Sequence, residues 1–360
     1  MCQKEGKKME KNCGDKISRR NFLKKISCIG LQMLFLPIFG RHGYGKSINS
    51  GFTPAYLKLH RSGELKERAE KLWKIMEKCQ LCPRKCGVNR LKGMKGVCRA
   101  PGSKLVISAF HPHFGEERPL VGKRGSGTIF FTHCNLRCVF CQNWEISHIG
   151  RGTERSINDL ADMMLFLQKI GCHNINLVTP THYSPHILKA LDVAVEKGLT
   201  LPLVYNTSGW ERLEILKVLD GIVDIYLPDI KYWESSMSSK YSSGAETYPD
   251  ITKEAVLEMH RQVGTAKPAK DGIIYRGLII RHLVMPNNVA GSEKIMEWIA
   301  KVLPKDTYVN IMAQYTPLYK AFDYPEISRR ITKEEYVKVV NKAKELGLSN
   351  LDIQGYWWLR

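Results

Sequence analysis

Gly127-Thr128-Ile129-Phe130-Phe131, then Thr132-His133, then Cys134-Asn135-Leu136-Arg137-Cys138-Val139-Phe140-Cys141: a short apolar run runs straight into three cysteines, separated by three and then two residues. The apolar run reads as a buried strand. A loop with that cysteine spacing wraps one face of an iron–sulfur cubane and offers thiolates to three irons. The fourth iron is left without a protein thiolate, so it is open to a substrate or cofactor rather than confined to passing electrons. A loop at the C-terminal end of a strand is also where α/β barrels and open α/β sheets place their chemistry. A zinc ion held by the three thiols with His133 or His148 is the competing reading.

Working outward, the chain alternates short apolar runs with amphipathic stretches. Strands are expected at 127–131, 174–178, 202–206, 222–228, 276–284 and 307–312, and helices at 156–170, 184–197, 210–218, 251–263, 291–302 and 332–346. Alternation of this kind predicts an α/β fold with parallel strands and crossover helices. Periodicity does not separate a partial barrel from a doubly wound sheet. The Ser-rich stretch 232–250 reads as a long loop on the side of the strand ends. His182 and His186 flank Pro185 at a helix start and read as loop or surface histidines.

The triplet resembles the signature of the radical S-adenosylmethionine (SAM) superfamily. Gly125-Ser126-Gly127 before it and Gln142-Asn143-Trp144-Glu145 after it resemble the pyruvate formate-lyase activating enzyme-like branch, in its PflX-type group. So do Thr179-Pro180-Thr181-His182, Tyr205-Asn206-Thr207-Ser208-Gly209, Leu227-Pro228-Asp229-Ile230-Lys231, Arg281-His282-Leu283-Val284 and Tyr324-Pro325-Glu326-Ile327. The resemblance runs over roughly residues 79–355. It implies a partial (β/α)6 TIM-like barrel, a [4Fe-4S] cluster on Cys134, Cys138 and Cys141, and SAM as cofactor. It also implies an electron donor such as a flavodoxin or ferredoxin, and a glycyl position on a partner protein as one target of the radical. Phe140 is then expected near the adenine. Gln142, Thr179, Asn206, Asp229, Lys231 and Arg281 are expected around the cofactor, Arg281 facing its carboxylate. Thr181, Ser208, Gln314 and Tyr315 also end strands, and Tyr315 and Tyr319 are candidates for radical or proton transfer.

A second group precedes the first: Cys79, Cys82, Cys86 and Cys98, the last after Gly93 and Gly96. Four thiols with two short spacings and a Gly-containing return loop suit a zinc ion or a second iron–sulfur cluster, with a disulfide pair as the alternative. The domain plan is then a signal segment over 1–48, a linker and helix over 49–78, a Cys-rich module over 79–126 and the barrel over 127–360. Cys172 reads as a core thiol.

The 360 residues carry 43% hydrophobic and 25% charged side chains, which excludes a disordered or collagen-like chain. Residues 1–48 hold 11 Lys and Arg against three acids, so +8 of the formal +20 lies there. Ser18-Arg19-Arg20-Asn21-Phe22-Leu23-Lys24 and the apolar run Ile26 to Phe39 resemble a twin-arginine export signal. That machinery carries folded, cofactor-loaded proteins, so a periplasmic or membrane-associated location is expected, with the cytoplasm as alternative. The remaining charge slightly favours radical modification of RNA as a second function, but there is no RNA-binding module and nucleic acid is not the expected partner. A two-cluster electron carrier is the third reading. Against it stand the missing fourth thiol and the length of chain after the triplet.

Overall fold

The computed structural model describes residues 51–354; the twin-arginine-like segment lies outside them. The described residues open with helices α1 (Tyr56–Arg61) and α2 (Glu64–Ile75), so part of the expected linker is helical. Then come β1 (Leu105–His113), the short α3 (Arg118–Val121), β2 (Ser126–Phe131), β3 (Thr153–Arg155) and α4 (Ile157–Lys169). Strand and helix alternate from there: β4 (Ile175–Val178), α5 (Ser184–Glu196), β5 (Leu203–Thr207), α6 (Leu213–Leu219) and β6 (Ile225–Pro228). Two helices follow, α7 (Ser235–Tyr241) and α8 (Tyr248–Val263). The rest is β7 (Gly277–Leu283), α9 (Ser292–Val302), β8 (Tyr308–Met312), α10 (Lys333–Glu345) and β9 (Leu351–Ile353).

The nine strands form one sheet in the order β3-β1-β2-β4-β5-β6-β7-β8-β9. From β2 to β9 every neighbouring pair is parallel. β1 runs antiparallel to both β2 and β3. The order is linear and does not close on itself, which is the partial (β/α)6 barrel expected, extended by β9 at one edge and by β1 and β3 at the other. Two expectations need correction. The stretch 79–126 is not a separate module along its whole length, because β1 pairs with β2 from Ile107 to His113. The stretch 232–250 is not a plain loop, because it contains α7 and the start of α8.

Side-chain period in the strands decides what faces the interior. Val204, Ile225, Leu227 and Ile279 pack with Leu120, Ala266, Ile274 and Tyr308 as an apolar cluster of their own. Their alternates Tyr205, Tyr226, Leu278, Ile280 and Val309 belong to the larger core. Stepping two residues on from the inner apolar layer reaches Asn206 on β5, Asp229 just after β6, Arg281 on β7 and Asn310 on β8. The inner face therefore changes from aliphatic to polar toward the C-terminal ends of the strands, and the site lies there. Helix starts are set locally: Ser156 caps α4 through a reciprocal pair with Asp159, and Thr332 does the same for α10 with Glu335.

Candidate active site

The cysteine loop begins where β2 ends. His133 (φ 67°) and Arg137 (φ 54°) adopt left-handed backbone, so the chain reverses twice within a few residues. All three cysteines are free thiols, and each sulfur accepts one hydrogen bond. Leu136 N–H donates to Cys134 Sγ at 3.4 Å, the Ser242 hydroxyl to Cys138 Sγ at 3.1 Å and the Ser147 hydroxyl to Cys141 Sγ at 3.2 Å. Ser147 lies on a wide π-helical turn, Glu145–Ile149, a geometry common at functional sites. Burial pushes the Cys138 thiol up to about 12, with Lys231 pulling against it. His133 and His148 bond instead to the hydroxyls of Thr132 and Ser147, and neither lines the cavity, which disfavours the zinc reading.

A cavity of about 460 Å³ opens over the loop, walled by the three cysteines and by the strand ends. Phe140 lines it with 5% of its surface exposed, its ring 5.8 Å from that of Tyr315 and 6.3 Å from that of Tyr232. Gln142 sits at the rim, its amide donating to Gln314 O at 3.1 Å. Lys231 Nζ meets Asp229 Oδ2 at 2.6 Å. The Arg281 Nε donates to Asp229 Oδ1 at 2.8 Å and its Nη2 to Asn206 Oδ1 at 2.5 Å. Burial pushes the Asp229 carboxyl up, but Arg281 and Lys231 outweigh it and hold the group below its usual range. Tyr248 fastens this turn: its one hydroxyl proton is shared between Ser208 O (2.8 Å) and Asp229 O (3.0 Å), and its oxygen accepts from Lys231 N–H.

Glu116, which sequence reading missed, lines the same cavity. Its carboxylate lies 3.5 Å from Arg281 Nη1, and burial lifts it to about 7, Arg281 lowering it in part. The two buried cations thus face several carboxyls: Asp229 pairs with both, and Glu117 and Glu116 also act on Arg281.

Other strand-end hydroxyls turn away. The Thr181 hydroxyl donates to Glu211 at 2.5 Å, as does that of Thr207, so Thr181 serves a buried carboxyl rather than the cavity. Tyr315 lines the cavity, while its hydroxyl donates to Ile327 O at 2.7 Å. His182 and His186 are buried, not surface groups; they bond to Thr132 O and Gly102 O. Thr179 does line the cavity, and its φ of 60° is unusual for a β-branched residue.

A family model described as the radical SAM superfamily matches residues 128–241. An uncharacterized protein of Methanocaldococcus jannaschii is 36% identical over 283 residues, 76% of this chain and 76% of its own length. The chain belongs to the radical SAM superfamily. A pyruvate formate-lyase-activating enzyme of Listeria monocytogenes is 26% identical over 236 residues, 60% of this chain and 88% of its own. Among solved structures, a radical SAM methyltransferase from Sphaerobacter thermophilus matches over 85% of this chain and 94% of its own, at 14% identity and a TM-score of 0.43.

Radical SAM membership implies a [4Fe-4S] cluster and SAM, and the residues present fit both. Three free thiols share one wall of a cavity large enough for a cluster and a ligand. Ser208 Oγ, also in that wall, has no hydrogen-bond partner. Hydrogen bonds to cluster sulfurs raise the reduction potential, so Ser242→Ala is expected to lower the midpoint, read by EPR titration, by on the order of 50 mV, a fraction of a charge-assisted bond. Gly209 (φ 82°) permits a close approach: a Cβ there would lie 2.3 Å from Asp229 O. Gly209→Ala is therefore expected to cost about 2–4 kcal/mol in denaturant unfolding and to shift Asp229 out of its pairings.

Glu211 lies fully buried among the strand ends with no cation beside it, and burial lifts it to about 7. A carboxyl raised in the native state stabilises most below its unfolded value and loses that contribution as pH rises through about 7. Glu211→Gln should be more stable than the parent by roughly 2 kcal/mol at pH 8, with the gap closing by about pH 4.5, in unfolding titrations at the two pH values.

Five further cysteines lie among the described residues. Cys172 is a core thiol, 3% exposed. Cys79, Cys82 and Cys98 are buried and Cys86 half-buried, in a loop ahead of β1.

Proposed function

We propose that Cys134, Cys138 and Cys141 hold the [4Fe-4S] cluster and that SAM lies across the cavity between that loop and the strand ends. Bound there and reduced, the pair supplies a 5′-deoxyadenosyl radical able to take a hydrogen atom from a substrate. The carrying observation is the placement of three free, hydrogen-bonded thiols on one wall of the same cavity that holds the Asp229–Lys231–Arg281 network. Phe140 offers an apolar face to the adenine. Arg281 and Lys231 supply the positive charge that meets the carboxylate, and Asp229 holds both cations in place. Asn206 and Gln142 fix Arg281 and the rim, while Thr179 and Ser208 offer hydroxyls to the polar parts of the ligand.

The target we favour is a glycyl position on a partner protein, with a flavodoxin or ferredoxin as electron donor. Similarity to the pyruvate formate-lyase-activating enzyme supports this reading. The test is anaerobic reconstitution, reduction and addition of SAM. We expect 5′-deoxyadenosine to form, and a cluster-loaded protein that yields none would refute the radical reading. We further propose that the chain is exported by its twin-arginine-like segment. Fractionation of a tagged protein against its Arg19→Lys, Arg20→Lys form decides, and an identical cytosolic distribution of the two would overturn export.

A further inference from the structure

We infer that Cys79, Cys82, Cys86 and Cys98 hold a second iron–sulfur cluster through which an acidic protein carrier delivers electrons, one at a time, to the cluster on the Cys134–Cys141 loop. The relay half of this inference rests on the radical reading above; the cluster half does not.

The first observation is the shape of the loop. Cys79 N–H donates to Val88 O at 2.9 Å, Gly87 N–H returns to Cys79 O at 3.0 Å, and Lys85 N–H closes a turn on Cys82 O at 3.0 Å. Val97 N–H donates to Cys86 Sγ at 3.4 Å, and Gly96 makes room for that sulfur, since a Cβ would lie 2.9 Å from it. All four thiols are free, with Cys79, Cys82 and Cys98 buried and Cys86 half-buried in this loop. Four free thiols offer one thiolate to each iron of a cubane.

The second observation is Arg84, which lies between Cys82 and Cys86 and reaches the other cysteine loop. Its Nε donates to Asn135 O at 3.0 Å and its Nη2 to Ser242 O at 3.0 Å. Ser242 in turn donates its hydroxyl to Cys138 Sγ. The guanidinium also lies 4.8 Å from the centre of the Trp210 ring. Two hydrogen bonds and one residue thus connect the four-cysteine loop to a sulfur of the three-cysteine loop.

The third observation is charge. Residues 77–99 carry seven cations, from Lys78 to Arg99, against the single acid Glu77. Lys78, Lys85, Lys92, Lys95 and Arg99 are exposed, and so are the apolar side chains of Met94 and Val97 among them. A basic collar with an apolar centre, surrounding a half-buried Cys86, fits a negatively charged redox protein, whose approach it would steer. Electrons balance simply: the reduced carrier loses one electron, the four-cysteine cluster gains it and hands it on, and no proton moves.

Two measurements test this. In the Cys134→Ala, Cys138→Ala, Cys141→Ala triple variant, reconstituted anaerobically, we expect about four irons per chain and an EPR signal on reduction. Zinc instead, or no metal, would overturn the cluster. In the second, the rate of 5′-deoxyadenosine formation is measured with reduced flavodoxin and with dithionite. The flavodoxin-to-dithionite ratio is expected to fall roughly tenfold in Cys82→Ser, Cys86→Ser and in the charge reversal Lys85→Glu, Lys92→Glu, Lys95→Glu, which leaves every thiol in place. A ratio unchanged in the charge reversal would overturn the docking and relay. If the wild type forms no 5′-deoxyadenosine with either reductant, the radical reading fails, while the iron count still decides the second cluster.

Discussion

Cys138→Ser is expected to lose the iron of the three-cysteine loop and to bring 5′-deoxyadenosine formation down by at least roughly 10³-fold, because the cofactor carries the hard chemistry and two thiolates do not hold it. Cys138 is the middle residue of the triplet and 8% exposed, and burial keeps its thiol protonated until a metal displaces the proton. Lys231 opposes that penalty from across the cavity, so metal loading and the cation network support each other. Serine preserves size and leaves a partner for the Ser242 hydroxyl, so far-UV circular dichroism should be unchanged. Iron and sulfide analysis, EPR of the reduced protein and product chromatography read the effect together. Retention of the cluster with full cleavage would remove Cys138 from the ligand set and with it the reading of this loop.

The fold was legible where runs of Val, Ile and Leu are long enough to have only one structural use. The strands expected at 174–178, 202–206 and 307–312 end within one residue of β4, β5 and β8. β1 escaped notice because Phe110, His111, Pro112 and His113 mix aromatic, polar and proline residues on a half-exposed strand. β3 and β9 are three residues each, too short to show a period. Within the site, Asn206, Asp229 and Arg281 were legible because they lie in or beside expected strands near the ends that carry chemistry, in blocks that carry the family resemblance. Glu116, Ser147, Ser242 and Glu211 were not, since each reaches its partner through space from a loop or turn. One signal was present: the Ser-rich stretch 232–250, read as lying on the side of the strand ends, supplies Ser242 to Cys138. Thr181 misled because a strand-end hydroxyl reads the same whether it faces a cavity or a carboxylate behind it.

Asp229→Asn is expected to be the most damaging change outside the cysteines. Asp229, Lys231 and Arg281 expose only 13%, 17% and 16% of their side chains, so the carboxylate is the near neighbour that offsets two desolvated cations. Asparagine still accepts from Arg281 Nε, but its amide would set a donor against Lys231 Nζ, with no negative charge between them. Leaving buried charge uncompensated costs about 3–5 kcal/mol, and we expect a loss of that order at pH 7. The pH dependence gives the cause away. In the parent, Lys231 is held above its usual 10.5, with burial the largest influence and opposing, and Asp229 the stronger of the partners that overcome it. That pairing therefore contributes fully below pH 10.5 and is lost only as pH rises past the raised value. In the variant burial acts without its strongest opponent, so Lys231 is expected to fall below 10.5 and the folded state to shed its proton first. Stability of the variant should then rise between neutral pH and about pH 9.5, narrowing the gap to the parent, in urea titrations at both pH values. A gap that stays constant across that range would mean that the loss comes from packing or from Arg281 rather than from an unpaired lysine. Product formation is expected to fall at least roughly tenfold, since a one-Å misplacement of a positioning group costs more than that.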